Sequence, residues 1–143
     1  MIQSSDSILG LDIGVKRIGV ARAHWPDGIA SPLLTLSNDE DFMFQLEQII
    51  KQENVSFIVA GKPRTLNGRS TEQTKYCEDF AGQIRIETQL PVYLEDEAVT
   101  SVEAEAELKS KWASYSKADI DSLSAVYILD SFIASHPKGA GIE

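Results

Sequence analysis

The sequence predicts an α/β fold built on a mixed five-stranded sheet, three antiparallel strands followed by parallel ones, and flanked by helices. Three observations predict it. The chain opens with three short apolar runs whose connections are too short to hold a helix. Apolar residues then recur at helical spacing. Finally, two further apolar strands each follow a helical segment, which is the pattern of βα units.

The first part of the chain reads as an antiparallel meander. A buried strand over Ser7–Asp12 is followed by a turn at Gly14 and a second strand over Arg17–Ala23. A short third strand is predicted over Leu33–Leu36. The loop before it is marked by Pro26, Gly28 and Pro32.

The second part alternates helices with strands. The apolar positions Phe42, Leu46 and Ile49 lie on one face of a helix that Asn38 can cap. Ser70 and Thr100 each precede a Gln or Glu by three residues, which is the pattern of a capping box. The remaining predicted elements are strands over Val55–Ala60 and Pro91–Leu94, helices beginning near Ser70 and Thr100 (the latter ending near Lys111), and a last, strongly apolar helix over Asp119–Ala134.

Length and composition indicate a single cytoplasmic domain spanning residues 1–143. One cysteine excludes an intrachain disulfide, and we expect neither a signal peptide nor a membrane span. The net charge of −9 argues against general polyanion binding. However, residues 12–22 carry a local charge of +2 and residues 61–75 one of +3. Both groups of cations follow predicted strand ends, which indicates a local anion-binding site. For either group alone, solvent-exposed Lys and Arg side chains in a loop are an adequate explanation.

Carboxylates follow or begin several predicted elements. Asp12 lies near the end of the first strand, a Glu-Asp-Glu run at residues 95–97 follows the fifth, and Asp121 lies in the expected first turn of the last helix. Ligands gather at the carboxyl ends of parallel strands, and converging carboxylates repel each other unless cations neutralise them. Oxygen ligands without a His or Cys cluster favour Mg²⁺ or Mn²⁺ over zinc. Alternatively, the acidic run at residues 95–97 is a solvated loop, and Asp121 is an acidic residue favoured at the start of a helix by the helix dipole.

Four segments in order, LGLDIGVKRIGVA, IVAGKPRTLNG, EDEAVTSVEAE and DIDSLSAVYILDSFI, resemble the YqgF family from about Ile8 to Ile133. The resemblance implies an RNase H-like, Holliday-junction-resolvase-like fold. It also implies a metal-dependent nuclease that matures the 5′ end of pre-16S rRNA. The family pattern assigns the catalytic and metal-binding triad to Asp12, Glu97 and Asp121, whereas spacing alone does not choose among residues 95–97.

The expected partners are structured RNA or branched DNA and, beyond these, the ribosome, bound by a monomer or homodimer. The segment 61–68 corresponds to a substrate-contacting loop of the family. The residues expected to contact nucleic acid are Lys16, Arg17, Lys62, Arg64, Asn67 and Arg69.

Two positions depart from the family pattern. Ala98 stands where the family has Arg, and Lys62 where it has an apolar residue. Loss of the Arg removes a bidentate phosphate partner and favours a second interpretation, a nucleic-acid-binding or ribosome-binding module that does not hydrolyse. The stretch DIGVKRIGVA also resembles the first phosphate loop of actin-like ATPases and sugar kinases. Those proteins place two such domains around a cleft, whereas this chain has the length of one.

Overall fold

The computed structural model describes residues 7–25, 28–63, 72–96, 106–107, 109 and 116–136. No helix within these ranges is long and apolar enough to cross a membrane. The strands are β1 (Ser7–Ile13), β2 (Arg17–His24), β3 (Ser31–Ser37), β4 (Val55–Lys62) and β5 (Val92–Asp96). The helices that position the site are α1 (Phe42–Glu53), α2 (Glu72–Thr88) and α3 (Lys117–Ser135).

The strands form one mixed sheet in the order β3-β2-β1-β4-β5. The pairs β1–β2 and β2–β3 are antiparallel, and β1–β4 and β4–β5 are parallel. The predicted architecture is therefore confirmed. Because β1, β4 and β5 run in the same direction, their carboxyl ends meet at one end of the sheet.

Side chains of the central strand alternate between two cores. Leu9 and Leu11 are fully buried against α1 and α2, whereas Ile8 packs on the opposite face against α3. On the α3 face, Phe57 and Phe132 are buried among other aromatic rings. This period of two is what a sheet covered by helices on both faces requires.

Helix α3 crosses the sheet obliquely. Near its beginning, the Thr35 hydroxyl on β3 donates to the carbonyl of Ala118 at 2.7 Å. Further along, α3 packs so closely on β1 that a Cβ built on Gly10 would lie 2.5 Å from the Leu129 side chain. Near its end, Ser131 donates to Glu95 on β5 at 2.7 Å. One helix therefore contacts both edges of the sheet and its centre.

Strand β3 and helix α1 begin elsewhere than the sequence predicts. Strand β3 starts at Ser31 and includes Pro32, which was expected in the preceding loop. An edge strand accepts proline because its outward backbone position needs no partner. The cap of α1 is Asp41 rather than Asn38. The Asn38 side chain instead donates to the Gly14 carbonyl and to the Tyr76 hydroxyl, each at 2.8 Å, and so ties the β1–β2 turn to α2.

Two boundaries matter for the acidic residues. Helix α3 begins at Lys117 behind a capping box formed by Ser116 and Asp119, so Asp121 lies beyond the first turn. The prediction that Asp121 is a first-turn residue is wrong, and Asp119 takes that position. Strand β5 extends to Asp96, two residues past its predicted end, so Glu95 lies within the strand. The Ser70 and Thr100 caps lie outside the described residues, as does most of the helix predicted between Thr100 and Lys111.

Candidate active site

A row of residues crosses the carboxyl end of the parallel strands on the α3 face. Leu11 pairs with Ala60, and Gly61 pairs with Glu95, so Asp12, Gly61 and Glu95 are level with one another. Alternation along β1 puts Asp12 on the face opposite Leu11, which is the face that α3 covers. Gly61 adds no side chain between the two carboxylates.

Asp121 reaches the same place from the helix. Asp12 pairs with Gly19 on β2, and a Cβ built on Gly19 would lie only 2.0 Å from the backbone oxygen of Asp121. Glycine is therefore required at position 19 for α3 to approach. Further along α3, the backbone oxygen of Ala125 approaches Gly10 on β1, so the helix passes from β2 to β1 as it leaves the Asp12–Gly19 pair.

The Asp121 carboxylate is held by an arginine. Arg17 Nε donates to Asp121 Oδ2 at 2.6 Å, with the arginine side chain 39% exposed and the aspartate 17% exposed. An open cavity of about 220 Å³ lies at this pair and is also lined by Lys117 and Ile120. The cavity beside the Asp121 carboxylate is therefore lined by two cationic residues, of which Arg17 contacts it.

The two acidic residues at the end of β5 have other partners. Glu95 accepts the hydroxyl of Ser131, and Asp96 lies 3.9 Å from the ammonium of Lys62. The β4–β5 register places Lys62 and Asp96 on the face of α1 and α2, away from Asp12. Lys62 is therefore set apart from the Asp12–Asp121 region.

The remaining predicted site residues are only partly described. Glu97, Arg64, Asn67 and Arg69 lie outside the described residues, as does Ala98. Lys16 is exposed on the β1–β2 turn. Within the described ranges no three His, Cys, Asp or Glu side chains are grouped as a metal site. The triad with Glu97 as its third member stays a prediction.

Comparison with known proteins identifies the family. A family model described as "RuvX: Holliday junction resolvase" matches residues 6–135. The chain belongs to the RuvX family. Its curated relatives include a protein from Sulfurihydrogenibium sp. (strain YO3AOP1), 41% identical over 129 residues and 88% of each chain. Another, from Lachnospira eligens, is 38% identical over 139 residues, 92% of this chain and 99% of the relative. Both are named "Putative pre-16S rRNA nuclease", which confirms the resemblance stated from the sequence.

Solved structures share the RuvX chain's fold. Thermus thermophilus RuvC in complex with a Holliday junction substrate superposes with a TM-score of 0.55 at 13% identity, covering 93% of this chain and 97% of that one. The fowlpox virus Holliday junction resolvase gives 0.56 at 12% identity, with coverage of 90% and 99%. The predicted resolvase-like fold is confirmed.

Sequence reasoning missed Lys117 and the partner of Arg17. Lys117 and Asp121 are four residues apart and share a face of the helix, but the predicted helix begins at Asp119 and therefore excludes Lys117. The Arg17–Asp121 pair joins residues 104 positions apart, and nothing in the local pattern around either residue indicates it.

Proposed function

We propose that this chain is a divalent-metal-dependent nuclease, folded as one domain over residues 1–143, that hydrolyses phosphodiester bonds in processing the 5′ end of pre-16S rRNA in the cytoplasm. The observation that carries the proposal is that Asp12 lies level with Gly19, against which the backbone of Asp121 packs at the carboxyl end of β1. The family match and the names of the curated relatives support it.

The donor chemistry at this place fits a hard cation. Asp12 and Asp121 offer carboxylate oxygens on the α3 face, and Glu97, which follows β5 directly in the sequence, is the proposed third ligand. Mg²⁺ and Mn²⁺ favour such oxygen ligands and complete their shells with water and substrate phosphate. When bound, the cation supplies an activated water and offsets charge on the reacting phosphate.

The chain's own residues have defined tasks in this proposal. Asp12, fixed in β1, and Asp121, fixed in α3, position the cation relative to the sheet. Lys16 and Arg17 hold the phosphate backbone of the substrate on the adjacent turn and strand. Arg64, Asn67 and Arg69, in the segment that follows β4 in the sequence, extend this contact, and Lys62 at the end of β4 contacts the substrate from the α1 and α2 face. Phosphate contacts of this kind give an affinity that falls as salt rises.

The favoured substrate is a structured RNA, because the curated relatives carry the name of an rRNA nuclease. A branched DNA is the second candidate, because the family model is described as a Holliday junction resolvase. Assays with a pre-16S rRNA fragment and with a four-way DNA junction under the same conditions separate the two.

The test compares carboxylate variants on both substrates with Mg²⁺ or Mn²⁺. We expect Asp12→Asn, Asp121→Asn and Glu97→Gln to reduce hydrolysis to background. Glu95→Gln, which changes a carboxylate in the same row but engaged by Ser131, should retain it. Full activity in Asp12→Asn or Asp121→Asn would refute the catalytic assignment. Substrate binding in EDTA with no hydrolysis under any metal condition would favour the binding-only module.

A further inference from the structure

The Arg17–Asp121 pair has a consequence for how the proposed site is loaded. Asp121 is the proposed ligand, and its Oδ2 already accepts a charged hydrogen bond from Arg17 at 2.6 Å. A guanidinium and a divalent cation repel each other and compete for the same oxygen lone pairs. Arg17 therefore has to leave Asp121 before its guanidinium can bind a phosphate of the substrate.

We propose that Arg17 is an exchangeable counter-ion of Asp121, an inference that rests on the proposed function. Paired with Arg17, the Asp121 carboxylate is neutralised and oriented. Binding of a divalent cation to Asp121 displaces the guanidinium. Arg17 then turns into the adjoining cavity, beside Lys117, where it contacts a phosphate of the substrate backbone.

The surroundings of Arg17 allow this exchange. Its side chain is 39% exposed, and the pair borders an open cavity of about 220 Å³ that contains Lys117 and Ile120. The guanidinium can therefore leave Asp121 without displacing the core. Although the Asp121 side chain is only 17% exposed, water reaches the Arg17 side of the pair and screens it, so a divalent cation can compete with Arg17 at a cost in its affinity of up to about fivefold.

Strand β2 supplies a matched control. Arg22 also has a side chain that is 39% exposed, and its Nη1 pairs with Glu53 Oε1 at 2.5 Å. Arg22 pairs with Leu9 and Arg17 lies beyond the Gly19–Asp12 pair, so the two arginines stand toward opposite ends of the same strand. Removing Arg22 takes away the same charge and the same type of contact without touching Asp121.

The experiment measures Mn²⁺ binding in the absence of substrate, by electron paramagnetic resonance of free Mn²⁺, together with the thermal midpoint in EDTA and in Mn²⁺. Arg17→Gln should bind Mn²⁺ up to about fivefold more tightly than the natural chain, because the competing charge is gone. It should also gain more thermal stability from Mn²⁺. Arg17→Lys, which keeps the charge, should restore the weaker binding. Arg22→Gln should bind Mn²⁺ as the natural chain does.

Two results distinguish a failure of this inference from a failure of the proposed function. If Asp121→Asn binds Mn²⁺ as well as the natural chain, Asp121 is not a ligand and the proposed function fails with it. If Asp121→Asn loses Mn²⁺ but a folded Arg17→Gln binds it no more tightly, the metal site stands and only the counter-ion role is overturned. Circular dichroism checks that each variant is folded.

Discussion

Replacing Gly19 by alanine should separate the two carboxylates while leaving both in the chain. The added Cβ would lie 2.0 Å from the backbone oxygen of Asp121 and 2.8 Å from the nitrogen of Ser122. Both are backbone atoms of α3, so no side-chain rotation relieves the clash. To reach an ordinary contact of 3.4 Å, the beginning of α3 must move by about 1.4 Å.

The expected loss in the free energy of unfolding is that of overpacking a close contact between a helix and a sheet. Inserting a methyl group into such a contact costs about 1–3 kcal/mol. For a chain of this size, each kcal/mol lowers the thermal midpoint by roughly 2–4 °C. Because α3 carries Asp121, the same displacement should reduce Mn²⁺ affinity and hydrolysis, even though no proposed ligand is altered.

The control for Gly19→Ala is Gly82→Ala. Gly82 lies within α2, and a Cβ built on it meets no atom within 4 Å. Alanine there should stabilise the protein by about 0.5–1 kcal/mol, because glycine is a poor helix former. Differential scanning fluorimetry and Mn²⁺ titration of both variants provide the test. The reasoning is refuted if Gly19→Ala matches Gly82→Ala in both measurements.

Two further predictions concern stability. Phe57 is fully buried, and its ring centroid lies 5.4 Å from that of Trp25 and 5.8 Å from that of Phe132. Phe57→Ala should therefore lower the free energy of unfolding by about 3–5 kcal/mol in urea titrations, and a loss below 1 kcal/mol would contradict this packing. Partial desolvation, and then the charge of Glu107, raise the pKa of Asp130 from its ordinary 3.8, although the residue remains exposed on α3. A raised pKa in the folded state favours folding at acid pH and opposes it once the pH rises through that pKa. Asp130→Asn should thus raise the thermal midpoint slightly at pH 7 and leave it unchanged below pH 3.8; an equal shift at both would contradict the titration.

The sheet was predictable because its signals are local. The apolar run that predicts a strand over Ser7–Asp12 and the succession of helices and strands from α1 to β5 each lie within a short window of sequence. The boundaries that differ depend on neighbours distant in the chain. Pro32 is tolerated in β3 because that strand lies at the edge, and strand order cannot be read from the residues around a proline.

The candidate site was predictable only in part. Asp12 was a candidate because an unpaired carboxylate in an apolar strand is costly, and Asp121 because it lies near the start of the last helix. The family resemblance chose Glu97 among residues 95–97. The partner of Arg17 was not accessible, since its position was interpreted only as a phosphate contact. Asp121 and Arg17 meet because the glycine at position 19 admits α3, a contact between elements about a hundred residues apart. Contacts at such separations leave no periodic trace in the sequence.

Because α3 carries a proposed ligand and also forms part of the core, opening of the proposed site is coupled to the stability of the fold. The first turns of α3 carry Asp121, whereas Leu129 and Phe132, further along, are buried in the core between α3 and the sheet. The start of α3 is itself held on the sheet by the Thr35 hydrogen bond to Ala118 and by the close approach of Asp121 to Gly19, so fraying there has to break these contacts. Amide hydrogens around residue 121 should then exchange at rates close to those of the innermost strand, and any opening that releases this carboxylate has to come from side-chain rotation rather than from local melting.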